Sequence, residues 1–173
     1  VEEEGRLNDA GIRENFLERV YAQLRWREIA DPERNIKGFI DFHASHKLML
    51  MSRGSAYYSE LGRLVAGTRR HNLRERRDAY IGRFMQVMAI RPGRGRHANV
   101  LQHLLGYFRR DLDRGDKQEL VELFERYRRY EIPLITPGTM LRHHLRRFPH
   151  PCLLRQHYLS PCPDPLGLCS HQA

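Results

Sequence analysis

The sequence has little of what marks several large protein classes. Its 173 residues contain three cysteines, all within the last 22 residues, and a single tryptophan. A disulfide-stapled domain needs cysteines spread through the chain, so we expect free thiols instead. No apolar run exceeds four residues, at 48–51 and 87–90, which excludes a helix that spans a bilayer. No export signal is recognisable either, and the expected location is the cytoplasm.

Lysine is scarce too, because it supplies only three of the 30 basic residues. The net charge is +9, and the excess is concentrated in one segment. Residues 63–110 hold twelve arginines against Glu75 and Asp78. A cationic segment of this kind is typical of proteins that bind a polyanion, since neutralising phosphates releases counterions. Arginine also forms bidentate contacts to phosphate and stacks on bases.

Alternating apolar and polar residues, the signature of strands, are absent, and the apolar period is helical throughout. Residues 116–130 show it best, with Leu120, Phe124 and Tyr127 on one stripe. Asp116 is the expected N-cap of that helix, and Asn72 that of the helix at 72–89. The sequence therefore predicts an all-α fold, a single-domain bundle of about seven or eight helices at 9–29, 35–52, 55–67, 72–89, 95–112, 116–130, 138–147 and 151–158.

Two histidines lie on the apolar stripe of the second predicted helix. His43 and His46 are three residues apart among Phe39, Phe42 and Leu50. They could bind a metal, donate to a phosphate or base, or be core histidines bonded to nearby backbone. A zinc site needs a third ligand, and no carboxylate stands at a convincing spacing, so no metal is expected.

The segment 94–110 is the most informative stretch. Arg96, Asn99, His103, Gly106 and Arg110 recur at helical spacing and form a polar stripe beside the apolar stripe that carries His97. Close helix packing is the expected reason for the glycine. The predicted RNA-binding residues, on phosphates, bases or sugars, are Arg69, Arg70, Arg74, Arg76, Arg94, Arg96, Asn99, Gln102, His103 and Lys47. His43, His46 and His97 are further candidates for function.

Catalytic signatures are missing: the sequence holds no Walker motif, nucleophile elbow, dinucleotide fingerprint or paired zinc cysteines. No catalytic residue and no cofactor are assigned to this chain. Two alternatives to RNA binding stay open, a metal-dependent enzyme that uses a cluster of His43, His46, His97 and His103, and a docking module whose basic surface meets an acidic protein.

Several of these segments resemble a known family. The strings FHASHKLMLM at 42–51, YSELGRLVA at 58–66 and RHANVLQHLLGYF at 96–108 are similar to the YbgA-like domain, a bacterial domain of unknown function, as are 132–135 and 158–159. The opening residues 1–7, with 13–16 and 19–20, are similar to the end of a TudS-like thiouracil or thiouridine desulfidase domain, which often precedes this module.

The resemblance implies an organisation and a partner. Residues 1–34 would be a linker and helix at the end of the desulfidase-type domain, 35–160 the YbgA-like helical domain, and 161–173 a tail rich in proline and cysteine. The upstream domain would act in cis and hold a [4Fe–4S] cluster on its own cysteines, whereas this chain would bind the tRNA and be inactive alone. No membrane and no small-molecule cofactor are implied for it.

Overall fold

A computed structural model describes residues 4–29, 31 and 34–162 of the chain. Within those ranges it contains no strand, which confirms the all-α prediction, and the helices form a single domain. In the described part of the chain, a short 3₁₀ helix at Glu4–Asn8 precedes nine α-helices, of which eight have seven or more residues. They are α1 Ala10–Arg27, α2 Ile36–Ser45, α3 Lys47–Arg53, α4 Ser55–Ala66, α5 Leu73–Met88, α6 Arg94–Tyr107, α7 Arg114–Arg128, α8 Ile135–Arg147 and α9 Pro151–Leu154.

The helix expected at 35–52 is interrupted at His46, which separates α2 from α3. The His46 Nδ1 lies 2.7 Å from the Phe42 carbonyl oxygen, and the Ser45 hydroxyl donates to the same carbonyl. Side chains that bond to nearby backbone compete with the regular helical ladder, which explains the break.

One capping prediction is wrong, and two helices begin earlier than predicted. α7 begins two residues early, because Asp113 rather than Asp116 is the N-cap and accepts from the Asp116 amide at 2.8 Å. Asn72 is the N-cap of α5 as predicted, but it makes no capping bond there, since its side chain accepts from the Arg69 amide. α8 begins at Ile135 and includes Pro137, because proline is tolerated in a first turn.

The helices enclose two apolar cores that meet at α3. The first core lies among α1, α2, α4 and α5 and is built around Trp26, Phe39 and Tyr80. The second lies among α6, α7 and α8, around Leu101 and Phe124. Met49 and Leu50 of α3 belong to the first core, whereas Leu48 belongs to the second. α3 therefore holds the two halves together.

The segment after α9 returns across both halves. Tyr158 packs against both cores. The Gln156 side chain donates to the Ala44 carbonyl and accepts from the Leu48 amide, and the His157 amide donates to the Ser45 carbonyl. Arg142 of α8 donates to the Leu159 carbonyl.

The three predicted domain segments stay predictions. α1 packs against α5 and buries Ala22 and Trp26, so much of the segment 1–34 contributes to the first core. Most of the tail at 161–173, including Cys169, lies outside the described residues. Cys152 is a free, exposed thiol as expected, whereas Cys162 is disulfide-bonded, which contradicts the expectation of free thiols.

Candidate nucleic-acid interface

The twelve arginines of residues 63–110 do not form one surface. Arg83 pairs with Glu60 at 2.6 Å and Arg91 with Asp9 at 3.6 Å. Arg77 is buried against the Trp26 ring, 4.3 Å from its centroid. Five are exposed and make no ion pair or side-chain hydrogen bond within the part of the chain that the structure describes: Arg63, Arg70, Arg74, Arg109 and Arg110.

Arg94, predicted to bind phosphate, is instead used within the fold. Its Nη1 donates to the Tyr127 carbonyl at 2.8 Å and to the Ile132 carbonyl at 3.0 Å. Its guanidinium also lies over two rings, 4.7 Å from the centroid of Tyr127 and 4.3 Å from that of Tyr130. Arg94 thus fastens the start of α6 to the end of α7, and we reassign it to that structural role.

Arg96 has a similar role at the neighbouring position. Its Nη1 donates to the Arg53 carbonyl at the end of α3. The Arg53 side chain is itself 1% exposed, where it pairs with Glu18 and donates to the Met49 carbonyl and the Ser52 hydroxyl. A buried cation must be paired in this way because its hydration is lost. Arg96 therefore connects α6 to α3, although its side chain remains exposed.

The exposed arginines concentrate where α4 ends and α5 begins. We call this surface the α4–α5 corner and define it as Arg63, Arg69, Arg70, His71 and Arg74, all of them exposed. Arg69 closes the end of α4 by donating to the Thr68 carbonyl at 2.9 Å. Arg76 is half-buried beside Gly67. Arg69, Arg70 and Arg74 are thus the predicted phosphate-binding residues that stay exposed to a polyanion, and Arg63 and His71 join them on this surface.

The predicted histidines are mostly buried and neutral. Burial lowers the pKa of His46 to about 3, and its ring packs against that of His157. Burial, followed by the charges of Arg53 and Arg94, also lowers the pKa of His97 to about 4, and its Nδ1 lies 2.8 Å from the Tyr158 hydroxyl. His46 and His97 therefore have structural partners.

His43 lies in a different setting, at the edge of the first core. Its ring is stacked on Tyr58 with centroids 4.8 Å apart and planes within 2°. The Lys47 ammonium lies 5.9 Å from the same Tyr58 ring, one turn beyond His43. Burial lowers the pKa of His43 to about 4, so the imidazole is neutral at pH 7.

The polar stripe of α6 runs alongside α3, so the two histidine-bearing segments meet. Arg96 reaches the last residue of α3, while the positive charge of Lys47, the first residue of α3, adds to burial in lowering the pKa of His103. Asn99 and Gln102 lie between these points on α6 and are exposed. The stripe and Lys47 therefore belong to one surface.

Gly106 corrects another expectation. A Cβ at this position would meet nothing within 4 Å, so the glycine does not serve helix packing. It leaves an open place on the stripe instead.

Two features of the site lie outside the sequence-based predictions, the buried Arg53 at the end of α3 and Gly62 of α4. The burial of Arg53 could not be predicted from the sequence around it, because its partner Glu18 is 35 residues distant in sequence. Gly62, in contrast, stood inside a helical pattern, where a glycine is costly and hints at close approach. Within the described ranges no three His, Cys, Asp or Glu side chains are grouped as a metal site, and no helix is long and apolar enough to cross a membrane.

These features define a class: an all-helical domain that carries an exposed cationic corner and, apart from it, a patch of histidine, tyrosine and amide side chains. The chain belongs to the family described as "Protein of unknown function (DUF1722)", whose model matches residues 47–163. It is 29% identical over 160 residues to the "Uncharacterized protein YbgA" of Escherichia coli (strain K12), a match covering 90% of this chain and 92% of that protein. No solved structure matches. The YbgA-like resemblance is thereby confirmed, while the desulfidase partner stays a prediction.

Proposed function

We propose that this chain is an RNA-binding accessory domain with tRNA as its partner. The observation that carries the proposal is the pairing of two surfaces along α4. The α4–α5 corner supplies exposed arginines, and the stripe of α6 with Lys47 and Tyr58 supplies groups that can contact bases and sugars. Phosphate contacts of this kind position a nucleic acid, whereas side chains that reach bases read it.

α4 provides the spacing between these surfaces. Tyr58 lies in its first half and Arg63 in its last turn. A helix of 12 residues is roughly 18 Å long. A folded RNA could thus place its backbone on the corner while unpaired nucleotides extend towards Lys47 and His103.

In this proposal Arg69, Arg70, Arg74 and Arg76 contact phosphates, and Asn99, Gln102 and His103 lie nearer the bases. Arg94 and Arg96 no longer belong to the RNA-binding set, because their guanidinium groups bond to carbonyls 33 to 43 residues away and join helices, whereas Arg69 bonds only to carbonyls of its own turn. We further propose that the domain works in the cytoplasm beside a thiouridine desulfidase domain in cis, that this chain holds no cofactor, and that it has no catalysis of its own. The likeness of residues 1–7, 13–16 and 19–20 to such a domain supports the desulfidase partner.

The test compares two double variants of equal charge. Arg70→Gln/Arg74→Gln removes free cations from the corner, whereas Arg126→Gln/Arg128→Gln removes two arginines in the last turn of α7, which pair with Glu131 and Glu125. Affinity for total tRNA is measured by gel shift or fluorescence anisotropy between about 50 and 200 mM salt.

The parent and the α7 control should show a steep salt dependence. Each phosphate that the corner variant no longer neutralises should lower the slope of log affinity against log salt by about 1. If the corner variant binds tRNA as tightly as the control and with the same slope, the corner is not the RNA surface. A parent protein that binds only an acidic protein after nuclease treatment would favour the docking alternative.

A further inference from the structure

Gly62 of α4 leaves an edge of the His43 ring uncovered. A Cβ built at Gly62 would lie 3.4 Å from the Nε2 of His43. At this distance a methyl group fits in van der Waals contact and covers the nitrogen. With glycine, only backbone faces the imidazole. His43 keeps 7% of its surface exposed, and its Nε2 is not sealed from solvent as that of His46 is.

The hydrogen bond made by the other ring nitrogen of His43, Nδ1, determines whether the open Nε2 carries a proton. Nδ1 lies 3.1 Å from the Tyr80 hydroxyl. Tyr80 is fully buried, and burial raises its pKa well above the ordinary value, so the hydroxyl stays protonated. No other acceptor for that hydroxyl is found among the described residues, so Tyr80 donates to Nδ1 and His43 carries its own proton on Nε2. The open edge is thus a hydrogen-bond donor held rigidly by the core.

Three side chains surround this donor. Tyr58 lies one turn before Gly62 and stacks on the His43 ring. Lys47 lies one turn beyond His43, with its ammonium near the Tyr58 ring. His103 approaches from α6 on the Lys47 side, close enough for the lysine charge to lower its pKa. We name His43, Lys47, Tyr58, Gly62 and His103 the Gly62 patch.

We propose that the Gly62 patch binds one unpaired nucleotide, with an acceptor atom of the base on His43 Nε2–H and the adjacent phosphate on Lys47. This inference rests on the proposed RNA binding and specifies which RNA feature is recognised. A neutral donor beside an aromatic ring suits the edge of a base, and the ammonium suits a phosphate. The base must be unpaired, because the deep, narrow major groove of an RNA duplex keeps side chains from the bases and such recognition targets single strands.

The decisive variant is Gly62→Ala, which covers His43 Nε2 without creating a cavity. Alanine is favoured over glycine inside a helix, so the thermal midpoint should be unchanged or higher. Affinity for a fluorescein-labelled single-stranded oligouridylate should fall about tenfold. This is the effect of losing one hydrogen bond, here the one from His43 Nε2–H, when the base acceptor is left without a partner.

Gly82→Ala is the matched control. Gly82 lies inside α5, is exposed, and an added Cβ there meets nothing within 4 Å. It should stabilise the helix equally and leave oligouridylate affinity unchanged. Lys47→Gln is a second variant and should weaken binding and reduce its salt dependence, whereas Lys37→Gln, which removes an exposed lysine paired with Asp41, should do neither.

Two outcomes would overturn the inference. One is a Gly62→Ala protein that binds oligouridylate as tightly as Gly82→Ala, which would make His43 a core histidine only. The other is an RNA duplex that competes as well as the single strand. If the parent binds tRNA through the α4–α5 corner in either case, the proposed function stands and only this inference fails. If the parent binds neither tRNA nor oligouridylate, both fail.

Discussion

Replacing Arg94 tests the most consequential reassignment made by the structure. The guanidinium makes two hydrogen bonds to carbonyls at 2.8 and 3.0 Å and covers two tyrosine rings. A hydrogen bond from a charged donor contributes about 1.5–3 kcal/mol, and a partly exposed cation–π contact about 0.5–1 kcal/mol. These contributions are not additive for one side chain, and Arg94 is only half-buried, so we expect Arg94→Ala to lose about 3 kcal/mol of unfolding free energy.

That loss should be visible as a lower thermal midpoint. For a domain of this size 1 kcal/mol corresponds to roughly 2–4 °C, which gives a decrease of roughly 6–12 °C. The measurement is thermal and urea unfolding followed by circular dichroism, with Arg110→Ala as an exposed control. Arg94→Lys should lose most of the same free energy, because an ammonium cannot reproduce the planar contact with two carbonyls and two rings.

RNA binding then separates the structural role from the phosphate role. Below its melting temperature, Arg94→Ala should bind tRNA nearly as well as the parent. A variant that keeps its stability to within about 0.5 kcal/mol, the scatter expected of ordinary surface substitutions, but loses tRNA affinity would refute the reassignment. Arg94 would then be the phosphate contact that the sequence predicted.

Two further predictions concern buried groups. Arg53→Met should cost about 3 kcal/mol in urea unfolding, because Glu18 loses the partner of its charge; equal stability would mean that the ion pair contributes nothing. Acid should also destabilise the fold. Folding lowers the pKa of three histidines from 6.5 to about 4 and that of His46 to about 3, so the unfolded chain binds protons at a higher pH than the folded one. The unfolding free energy should therefore be greatest above pH 6.5. It should decline towards pH 4 by up to about 1.4 kcal/mol per pH unit for each histidine. An unfolding free energy that stays constant over that range would contradict the lowered pKa values of His43, His46, His97 and His157.

Most of the helices could be predicted from the sequence because their apolar period reflects direct burial. The helix expected at 55–67 is observed at Ser55–Ala66, and the one at 72–89 at Leu73–Met88. The break at His46 could not be predicted, because it depends on which carbonyl the ring reaches. The early start of α7 could not be predicted either, because both Asp113 and Asp116 are suitable N-caps and the structure uses Asp113.

The candidate site was less predictable than the fold. The number of arginines predicted a cationic segment, but it could not predict which guanidinium groups are exposed and which bond within the fold. Arg94 and Arg96 bond to carbonyls 33 to 43 residues away in sequence, and no local pattern announces such partners. The convergence of Lys47, Tyr58 and His103 likewise depends on the antiparallel packing of α3 on α6.

The segment that returns after α9 has a consequence for how the protein is made. Residues 156–159 fasten the α2–α3 junction and the first turn of α6 through Gln156, His157 and Tyr158. They leave the ribosome only after helices α1 to α9. The nascent chain can therefore form its helices early, but it lacks the contacts of residues 156–159 until the end. Until synthesis passes this segment, the junction of the two cores lacks these contacts and remains accessible to chaperones and proteases.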